Sequence, residues 1–405
     1  MTQLERLRAL LTRIVPGNRF YTRRLASDGV TPDIASLAEF SARMSFTHKQ
    51  ELVSDQAQHP PYGSNLTEPL ERYTHFCQTT GTTGRPLVWL DTEETWGWMA
   101  GNWATIYRAA GLVPGERIYF AFSFGPFLGF WTAFEAAGKS GYLGIPGGGL
   151  GSGGRLRAMI HHRATVLCCT PTYALHLAQA AQDEGIDLRE AAVRKIIVAG
   201  EPGGSVPEVR ERISREWHGA QVLDHYGMTE VGPVAYQTPE QPGLLHIIED
   251  SYFAEIVQPD TGAPVAPGHT GELVLTTLGR TACPLLRYRT GDLVRRAMNV
   301  EGFALAGGII GRADDMIVVR GVNLYPSAVD AVVRLVPEIV EYRVEISQRG
   351  SLAEVEVQIE SDDERAAEKL ERALATAFSL RIPVTRVATH TLPRFELKAR
   401  RWVKN

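Results

Sequence analysis

Residues 77–90 of this chain, CQTTGTTGRPLVWL, hold four threonines and two glycines between apolar flanks, followed by a cation and a proline. Hydroxyl groups at this density suit the oxygens of a polyphosphate. Glycine also lets successive backbone N–H groups approach an anion closely and form a nest around it. Thr/Gly-rich segments are also typical of plain turns. The segment therefore predicts a phosphate-binding loop, with an ordinary turn as the alternative.

Four further segments carry groups that could complete a nucleotide site: residues 225–233 (HYGMTEVGP), 286–294 (LRYRTGDLV), 311–326 (GRADDMIVVRGVNLYP) and 392–401 (LPRFELKARR). Tyr226 offers a flat face for a base, Glu230 offers a carboxylate at the same strand end, and Asp292 is a candidate partner for ribose hydroxyls. Each has an ordinary structural alternative. Tyr226 could be a core residue, Asp292 a turn acid, and Lys398 part of a solvated basic tail.

The elements that must position these groups follow two patterns. Apolar runs of strand type alternate with helical segments between residues 117 and 227, which predicts βαβ units and a parallel sheet covered on both faces. We expect strands at 117–124, 140–146, 164–171, 195–199 and 221–225, and helices at 128–138, 154–162, 173–184 and 206–217. Ligands bind at the carboxyl ends of strands in such sheets. The glycine run 147–154 predicts a mobile surface loop, since no helix start is expected close behind it.

Short alternating runs between residues 244 and 305 predict antiparallel hairpins. Beyond them, a valine stripe beginning at Val329, a hairpin around residues 349–351 and a second apolar stripe beginning at Leu370 indicate a small α+β unit. The expected fold is therefore α/β. A large N-terminal domain, residues 1–313, carries a parallel βαβ sheet and an antiparallel β subdomain. A small mobile α+β domain, residues 314–405, follows it.

Composition excludes several classes of protein. The chain of 405 residues is long enough for two or three domains, and its net charge of −4 gives no reason to expect nucleic acid or an anionic membrane as partner. No apolar run is long enough to span a bilayer. The amphipathic N-terminus lacks the features of a secretory signal. The four cysteines, Cys77, Cys168, Cys169 and Cys283, lack metal-ligand spacing, which favours buried thiols in a reducing cytoplasm over structural zinc.

Taken together, the motifs TTGTTGRP, YGMTE, YRTGDL, GRADDMIVVRGVNLYP and LPRFELKAR resemble those of the phenylacetate–CoA ligase branch of the adenylate-forming superfamily. That superfamily also includes acyl-CoA synthetases, luciferases and peptide-synthetase adenylation domains, and the resemblance covers nearly the whole chain. It implies that a carboxylic acid reacts with ATP to give an acyl-adenylate and pyrophosphate. A thiol then attacks the adenylate to give a thioester and AMP.

The resemblance also implies residue roles in binding Mg·ATP. The residues expected at the β- and γ-phosphates are Thr79, Thr80, Gly81, Thr82, Thr83 and Gly84, with the cation Arg85 where the family usually has lysine. Glu230 would bind Mg²⁺. The base would lie on Tyr226, and the residues expected around it are Gly200, Glu201, Pro202, Gly227 and Thr229. Asp292 would bind the ribose, assisted by Arg312.

The C-terminal motifs imply two roles that involve movement of the small domain. Lys398 would bridge the substrate carboxylate and the α-phosphate during adenylation, neutralising charge where two anions must meet. Leu397 stands where this branch commonly has glycine. Asp314 would be the hinge about which the small domain rotates after adenylation, bringing residues 320–325 to the active site.

Substrate choice is the least specified property. The acyl pocket implied by the resemblance includes Phe124, Gly125, Phe127 and Ala199. Its aromatic surroundings favour an aryl or arylalkyl acid, unless these rings serve only as core. The expected partners are thus a small carboxylic acid, ATP and CoA, with the oligomeric state left open. One alternative passes the acyl group to a carrier-protein phosphopantetheine or an amine. Another is a catalytically weak nucleotide-binding relative, against which Thr83, Glu230, Asp292, Arg312 and Lys398 argue.

Overall fold

The computed structural model describes residues 1–79, 86–313, 317–319, 322–349, 352–395 and 401–404. Its α-helices are α1 (Gln3–Ile14), α2 (Arg19–Asp28), α3 (Leu37–Arg43), α4 (Lys49–Gln58), α5 (Glu93–Ala109), α6 (Leu128–Lys139), α7 (Ser152–His161), α8 (Pro171–Asp183), α9 (Pro207–Glu216), α10 (Pro326–Arg334) and α11 (Ala366–Phe378). Its strands are β1 (Tyr73–Gln78), β2 (Val88–Thr92), β3 (Arg117–Phe120), β4 (Leu143–Pro146), β5 (Val166–Cys169), β6 (Lys195–Val198), β7 (Gln221–Met228), β8 (Gly232–Tyr236), β9 (Leu244–Ile247), β10 (Tyr252–Val257), β11 (Thr270–Thr277), β12 (Tyr288–Arg295), β13 (Ala304–Ala306), β14 (Gly311–Arg312), β15 (Ile317–Val319), β16 (Val322–Leu324), β17 (Glu341–Arg349), β18 (Leu352–Glu360), β19 (Val384–Val387) and β20 (Trp402–Lys404).

The largest sheet has eight strands in the order β13-β9-β8-β7-β6-β5-β3-β4. The segment from β4 to β7 is parallel, which confirms the predicted βαβ units. Helices α5 and α6 bury one face, and α7, α8 and α9 bury the other. The adjacent residues Cys168 and Cys169 accordingly lie in different cores. Because β4 and β5 flank β3 on opposite sides, the sheet has a topological switch point at the carboxyl end of β3.

The observed strands β3, β4, β5 and β6 are shorter than the sequence predicts, whereas β7 continues past its predicted end at residue 225 to Met228. Strand β5 shows why a strand can end early. The strand expected at 164–171 ends at Cys169, since Thr170 caps helix α8 by accepting a hydrogen bond from the Tyr173 amide. Pro171 then occupies the first turn of α8, where its missing N–H costs nothing. Apolar content continues past the strand, so hydrophobicity alone overestimates its length.

The glycine run corrects one sequence-based expectation. Helix α7 begins at Ser152 with Gly151 as its N-cap, so a helix start does lie within the run. Gly147 is buried, and a Cβ there would lie 2.7 Å from both the Phe120 carbonyl oxygen and the Tyr119 ring. The expectation that no helix start lies close by was therefore wrong, and Gly147 is buried although residues 148–151 are exposed. The mobility of the loop stays a prediction.

A second, antiparallel sheet has the order β10-β11-β12-β14 and confirms the predicted hairpins. Its register places Asp292 directly opposite Arg312. Helix α1 begins with a capping box between Thr2 and Glu5 and buries its leucine stripe in a core that also contains Leu286. Within the described ranges, no helix combines the length and apolar character that crossing a bilayer requires.

The C-terminal part builds its own sheet, β19-β18-β17-β20, against helices α10 and α11. Its apolar core includes residues from Val319 to Ile382. Both predicted helices are present, and β17 pairs with β18 in the predicted antiparallel hairpin. One contact with the rest of the chain is a 3.2 Å hydrogen bond from Arg212 Nη1 to the Ile339 carbonyl oxygen. The division at residues 313 and 314 stays a prediction, and Asp314 lies outside the described residues.

Candidate functional site

Three predicted nucleotide-binding residues meet where the two large sheets approach each other. The Tyr226 hydroxyl donates a 2.6 Å hydrogen bond to Asp292 Oδ2, and Arg312 Nη1 donates a 3.2 Å bond to Asp292 Oδ1. Tyr226 and Asp292 are buried, while Arg312 is partly exposed. Burial, and then the neighbouring Asp292 charge, raises the pKa of Tyr226 well above its usual range, so the phenol stays protonated. The cluster is a carboxylate fixed in orientation from two sides, which suits hydroxyl donors such as a ribose diol.

Glu230 lies just beyond the end of β7, and its side chain is buried. Its Oε1 is 3.2 Å from Nζ of Lys49, the first residue of α4. Sequence reasoning missed Lys49, because a single lysine about 180 residues upstream of its partner has no local signal. The pair places a cation beside a buried carboxylate that follows Tyr226 closely in the chain.

The donor set around Glu230 is compatible with Mg²⁺. Among the described residues, no three His, Cys, Asp or Glu side chains converge as a metal-ligand group. Mg²⁺ is commonly held by one or two carboxylates together with substrate phosphates and water, so a single glutamate is sufficient for this mode. Lys49 is about half exposed, so its ammonium group can turn into solvent when Mg²⁺ takes its place beside the buried carboxylate.

Thr79 forms the neck of the predicted phosphate loop. Its amide donates to the Leu87 carbonyl oxygen at 2.9 Å, and its Oγ1 accepts from the Leu87 amide at 3.0 Å. The antiparallel pairing of β1 with β2 continues from this closure, beginning with Gln78 opposite Val88. The remaining predicted loop residues lie outside the described residues; they are Thr80, Gly81, Thr82, Thr83, Gly84 and Arg85. Their phosphate-binding role stays a prediction.

The turn after β6 contains the predicted base-side residues Gly200, Glu201 and Pro202. Gly200 has φ +92°, a left-handed conformation that favours glycine. Glu201 Oε1 accepts a 2.8 Å hydrogen bond from the Thr172 amide at the start of α8, where the helix dipole favours an anion. The turn is thereby tied to the neighbouring βα connection.

Asp224, at the same edge of the sheet, was missed by sequence reasoning. Its Oδ2 accepts a 2.6 Å bond from the Ser205 hydroxyl, and burial raises the pKa of Asp224 to about 6. The adjacent His225 is also buried, which lowers its pKa to about 4. Both residues belong to the strand that delivers Tyr226, and the signal that could have found Asp224 was its position two residues before that tyrosine.

The predicted acyl-pocket residues are partly assembled. Phe124 packs against Trp131 and Phe134 with ring centroids 4.9 and 5.3 Å away, and the Trp131 indole donates to the Gly125 carbonyl oxygen at 2.8 Å. Phe127 is the N-cap of α6 and lies beside Gly125. Ala199 lies at the end of β6, two strands from β3. The structure therefore groups Phe124, Gly125 and Phe127 near the switch point and places Ala199 farther along the same edge.

Lys398 and Leu397 lie outside the described residues, but both flanks of their segment are defined. Arg394 Nη2 donates a 2.6 Å bond to Glu360 Oε2, and Arg401 Nε donates a 2.6 Å bond to Glu341 Oε1. Glu341 and Glu360 are directly opposite each other on β17 and β18. Two neighbouring carboxylates thus hold the chain before and after the predicted catalytic lysine.

Comparisons with known proteins identify the family of this chain. The family model described as AMP-binding enzyme matches residues 35–281, and the model described as AMP-binding enzyme C-terminal domain matches residues 321–405. The chain is 33% identical to a phenylacetate-coenzyme A ligase of Thermus thermophilus over 365 residues, which is 88% of this chain and 80% of that protein. It is also 33% identical to the Pseudomonas putida phenylacetate-coenzyme A ligase, over 88% of this chain and 81% of that protein.

Solved structures of 2-hydroxyisobutyryl-CoA ligase match over the whole chain. The postadenylation state with 2-HIB-AMP gives a TM-score of 0.93 at 28% identity, covering 100% of this chain and 89% of that one. The thioesterification state with 2-HIB-AMP and CoA gives 0.74 at 29% identity over the same shares. The structure of this chain is thus more similar to the postadenylation structure of that enzyme than to its thioesterification structure. The chain belongs to the AMP-binding enzyme family, within the phenylacetate–CoA ligase-like branch of the adenylate-forming superfamily.

Proposed function

We propose that this protein is an AMP-forming ligase that joins a carboxylic acid to CoA. A carboxylate oxygen attacks the α-phosphorus of ATP, pyrophosphate leaves, and the acyl-adenylate forms. The CoA thiol, as its thiolate, then attacks the acyl carbon, and AMP leaves with the electron pair of the broken C–O bond. The observation that carries the proposal is the convergence of Tyr226, Asp292 and Arg312, in a chain similar to phenylacetate-coenzyme A ligases.

The described residues would bind and orient the nucleotide. Asp292, held by Tyr226 and Arg312, would accept hydrogen bonds from the ribose hydroxyls. The turn at residues 200–202 would border the base. Glu230 would hold Mg²⁺, which when bound neutralises charge on the phosphates. The phosphate loop closed by Thr79 and the cation Lys398 would complete the charge balance at the α-phosphorus.

An aryl or arylalkyl acid is the substrate class that the site favours. Phe124 follows β3 closely and packs against Trp131 of α6, near the topological switch point where ligands of such sheets bind. An apolar aromatic wall suits an uncharged ring better than a polar side chain. The relatives named phenylacetate-coenzyme A ligases support the same class.

We also propose that residues 1–313 and 314–405 are two domains with Asp314 as their hinge. The C-terminal sheet has its own apolar core, and a separate family model covers residues 321–405. The TM-scores of 0.93 and 0.74 against two states of one relative support a rearrangement between the half-reactions.

Product analysis with a panel of acids tests this function. The protein is incubated with ATP, Mg²⁺ and either phenylacetate, benzoate or an aliphatic acid, with CoA or a holo carrier protein as acceptor. We expect AMP and an aryl-CoA thioester in equal amounts, with aryl acids preferred. Transfer of the acyl group to the carrier protein but not to CoA would show that the physiological acceptor is a carrier protein. ATP binding without AMP formation across the panel would indicate a catalytically weak relative.

A further inference from the structure

One buried guanidinium joins two of the site-bearing segments. Arg280 lies in the connection between β11 and β12, and its side chain is fully buried. Its Nη1 donates to the carbonyl oxygens of Thr229 and Glu230, at 2.9 and 2.8 Å. Its Nε donates to Asp91 Oδ1 at 2.9 Å, and Nη2 donates to Asp91 Oδ2. Since β12 carries Asp292, the same residue is also close in sequence to the ribose-binding strand.

Asp91 links this guanidinium to the predicted phosphate loop. It lies on β2, the strand that leads out of the loop whose neck is closed by Thr79 and Leu87. Its Oδ1 also accepts a 2.9 Å bond from the Thr95 hydroxyl, so the following helix α5 fixes the carboxylate as well. The Trp89 ring lies 5.2 Å from the guanidinium carbon of Arg280 and excludes water from one face of the pair.

Stability alone does not account for a buried ion pair of this kind. Removing two charges from water is costly, and replacing such a pair with well-packed apolar residues is often neutral or stabilising. The pair instead sets geometry, because a planar guanidinium fixes several acceptors in one plane. Here those acceptors are the phosphate-loop hairpin on one side and the main chain that presents Glu230 on the other.

We infer that Asp91 and Arg280 are a positioning pair, which holds the Glu230 main chain at a fixed place relative to the phosphate-loop hairpin so that one Mg·ATP contacts both. This inference rests on the proposed function for the identity of the ligand. Neither residue is assigned to contact the nucleotide. Outer partners that orient metal-binding groups typically change metal affinity or activity by about 10- to 100-fold when they are mutated.

The test compares variants that separate geometry from stability. The double variant Asp91→Leu/Arg280→Met replaces the pair by apolar side chains, so no unpaired charge remains in the core. Arg280→Lys keeps the buried cation but cannot reproduce the planar set of donors. The matched control is Glu255→Leu/Arg287→Met, which removes another bidentate, largely buried pair. Folding is checked by thermal unfolding, and Mg·ATP affinity is measured by calorimetry without acid.

We expect the double variant to bind Mg·ATP about 10- to 100-fold more weakly than the wild type while remaining folded. The Mg·ATP affinity of Arg280→Lys should lie between those of the wild type and the double variant. The control should bind Mg·ATP as the wild type does. In pyrophosphate exchange, the KM for Mg·ATP should rise while the KM for the acid stays unchanged. Wild-type affinity in both the double variant and Arg280→Lys, or an equal loss in the control, would overturn the inference. Absence of exchange in the wild type would instead overturn the proposed function, because the calorimetric comparison does not need turnover.

Discussion

The Tyr226 hydroxyl lies 2.6 Å from Asp292 Oδ2, although the two residues are separated by 66 positions in the chain. This bond joins the last parallel strand of the large sheet, β7, to β12 of the antiparallel sheet. Arg312 approaches the other carboxylate oxygen, so Asp292 is held between a neutral donor and a cation. The proposed nucleotide site thus lies at the junction of two sheets, and each sheet supplies part of it.

Tyr226→Phe should weaken ATP binding, because the bond to the carboxylate is lost while the aromatic face is kept. Hydrogen bonds to charged groups contribute about 1.5–3 kcal/mol, so we expect the KM for ATP to rise about ten-fold or more. The KM for the acid should be unchanged. Tyr142→Phe is the control, since its hydroxyl donates only to the Leu112 carbonyl oxygen, far from the cluster in the fold. Equal KM values in wild type and Tyr226→Phe would show that the bond does not position Asp292.

Arg394→Ala should impair adenylation selectively. Glu360 would lose its bond from the Arg394 guanidinium. Of its two described anchors, the segment that contains Lys398 would then keep only the Arg401–Glu341 pair. Small misplacements of a catalytic group can cost up to about 100-fold, and we expect pyrophosphate exchange to fall by at least about ten-fold. Thiol attack on supplied acyl-adenylate should be little affected, because the lysine is proposed to act only in the first step.

Arg381→Ala is the control for this experiment. Arg381 is an arginine of the same sheet-and-helix unit, mostly exposed and paired with Glu371. It should leave both half-reactions unchanged. If Arg394→Ala slows both half-reactions equally, the Glu360 pair serves the stability of the C-terminal unit and not the placement of Lys398.

Much of the fold was accessible from the sequence, because its elements have strong local periodicity. The alternation between residues 117 and 227 predicted the parallel sheet, and the valine stripe beginning at Val329 predicted α10. The strand ends were less predictable. At Thr170, a capping hydroxyl and the following proline stop the strand although the side chains on either side stay apolar.

The residues of the candidate site also differ in how readily the sequence reveals them. Tyr226, Asp292 and Arg312 belong to recognisable motifs, and the structure brings them together. Lys49 and Asp91 do not, because each acquires its role only through a partner far along the chain, Glu230 or Arg280. Long-range ion pairs have no periodicity and no spacing rule, so a single sequence does not reveal them.

Asp224→Asn should stabilise the protein near neutral pH. The pKa of Asp224 is raised from 3.8 to about 6 by burial, so the stabilising protonated form is fully present below about pH 3.8 and is lost as the pH rises through 6. At pH 7 the buried charge therefore costs about 3 kcal/mol, which asparagine avoids. Urea unfolding should show a gain of that size at pH 7 that disappears toward pH 4.

The neighbouring His225 has the opposite dependence. Its pKa is lowered from 6.5 to about 4, so its contribution is present above pH 6.5 and is lost as the pH falls through 4. In the wild type the two effects oppose each other, and Asp224→Asn should expose the steeper acid sensitivity of His225. Asp250→Asn, at an exposed acid paired with Arg6, should change the free energy of unfolding by less than about 0.5 kcal/mol at every pH. A gain for Asp224→Asn that does not vary with pH would contradict the raised pKa.

Acid-dependent exchange of labelled pyrophosphate into ATP tests the central claim most directly, because it reports acyl-adenylate formation without any acceptor. With Mg²⁺ and an aryl acid such as phenylacetate, we predict strong exchange in the wild type and loss of at least about 100-fold in Lys398→Ala. Glu230→Gln should lose exchange as well and should not be restored by more acid. Exchange that is absent from the wild type with every acid, or that persists undiminished in Lys398→Ala, would contradict the account.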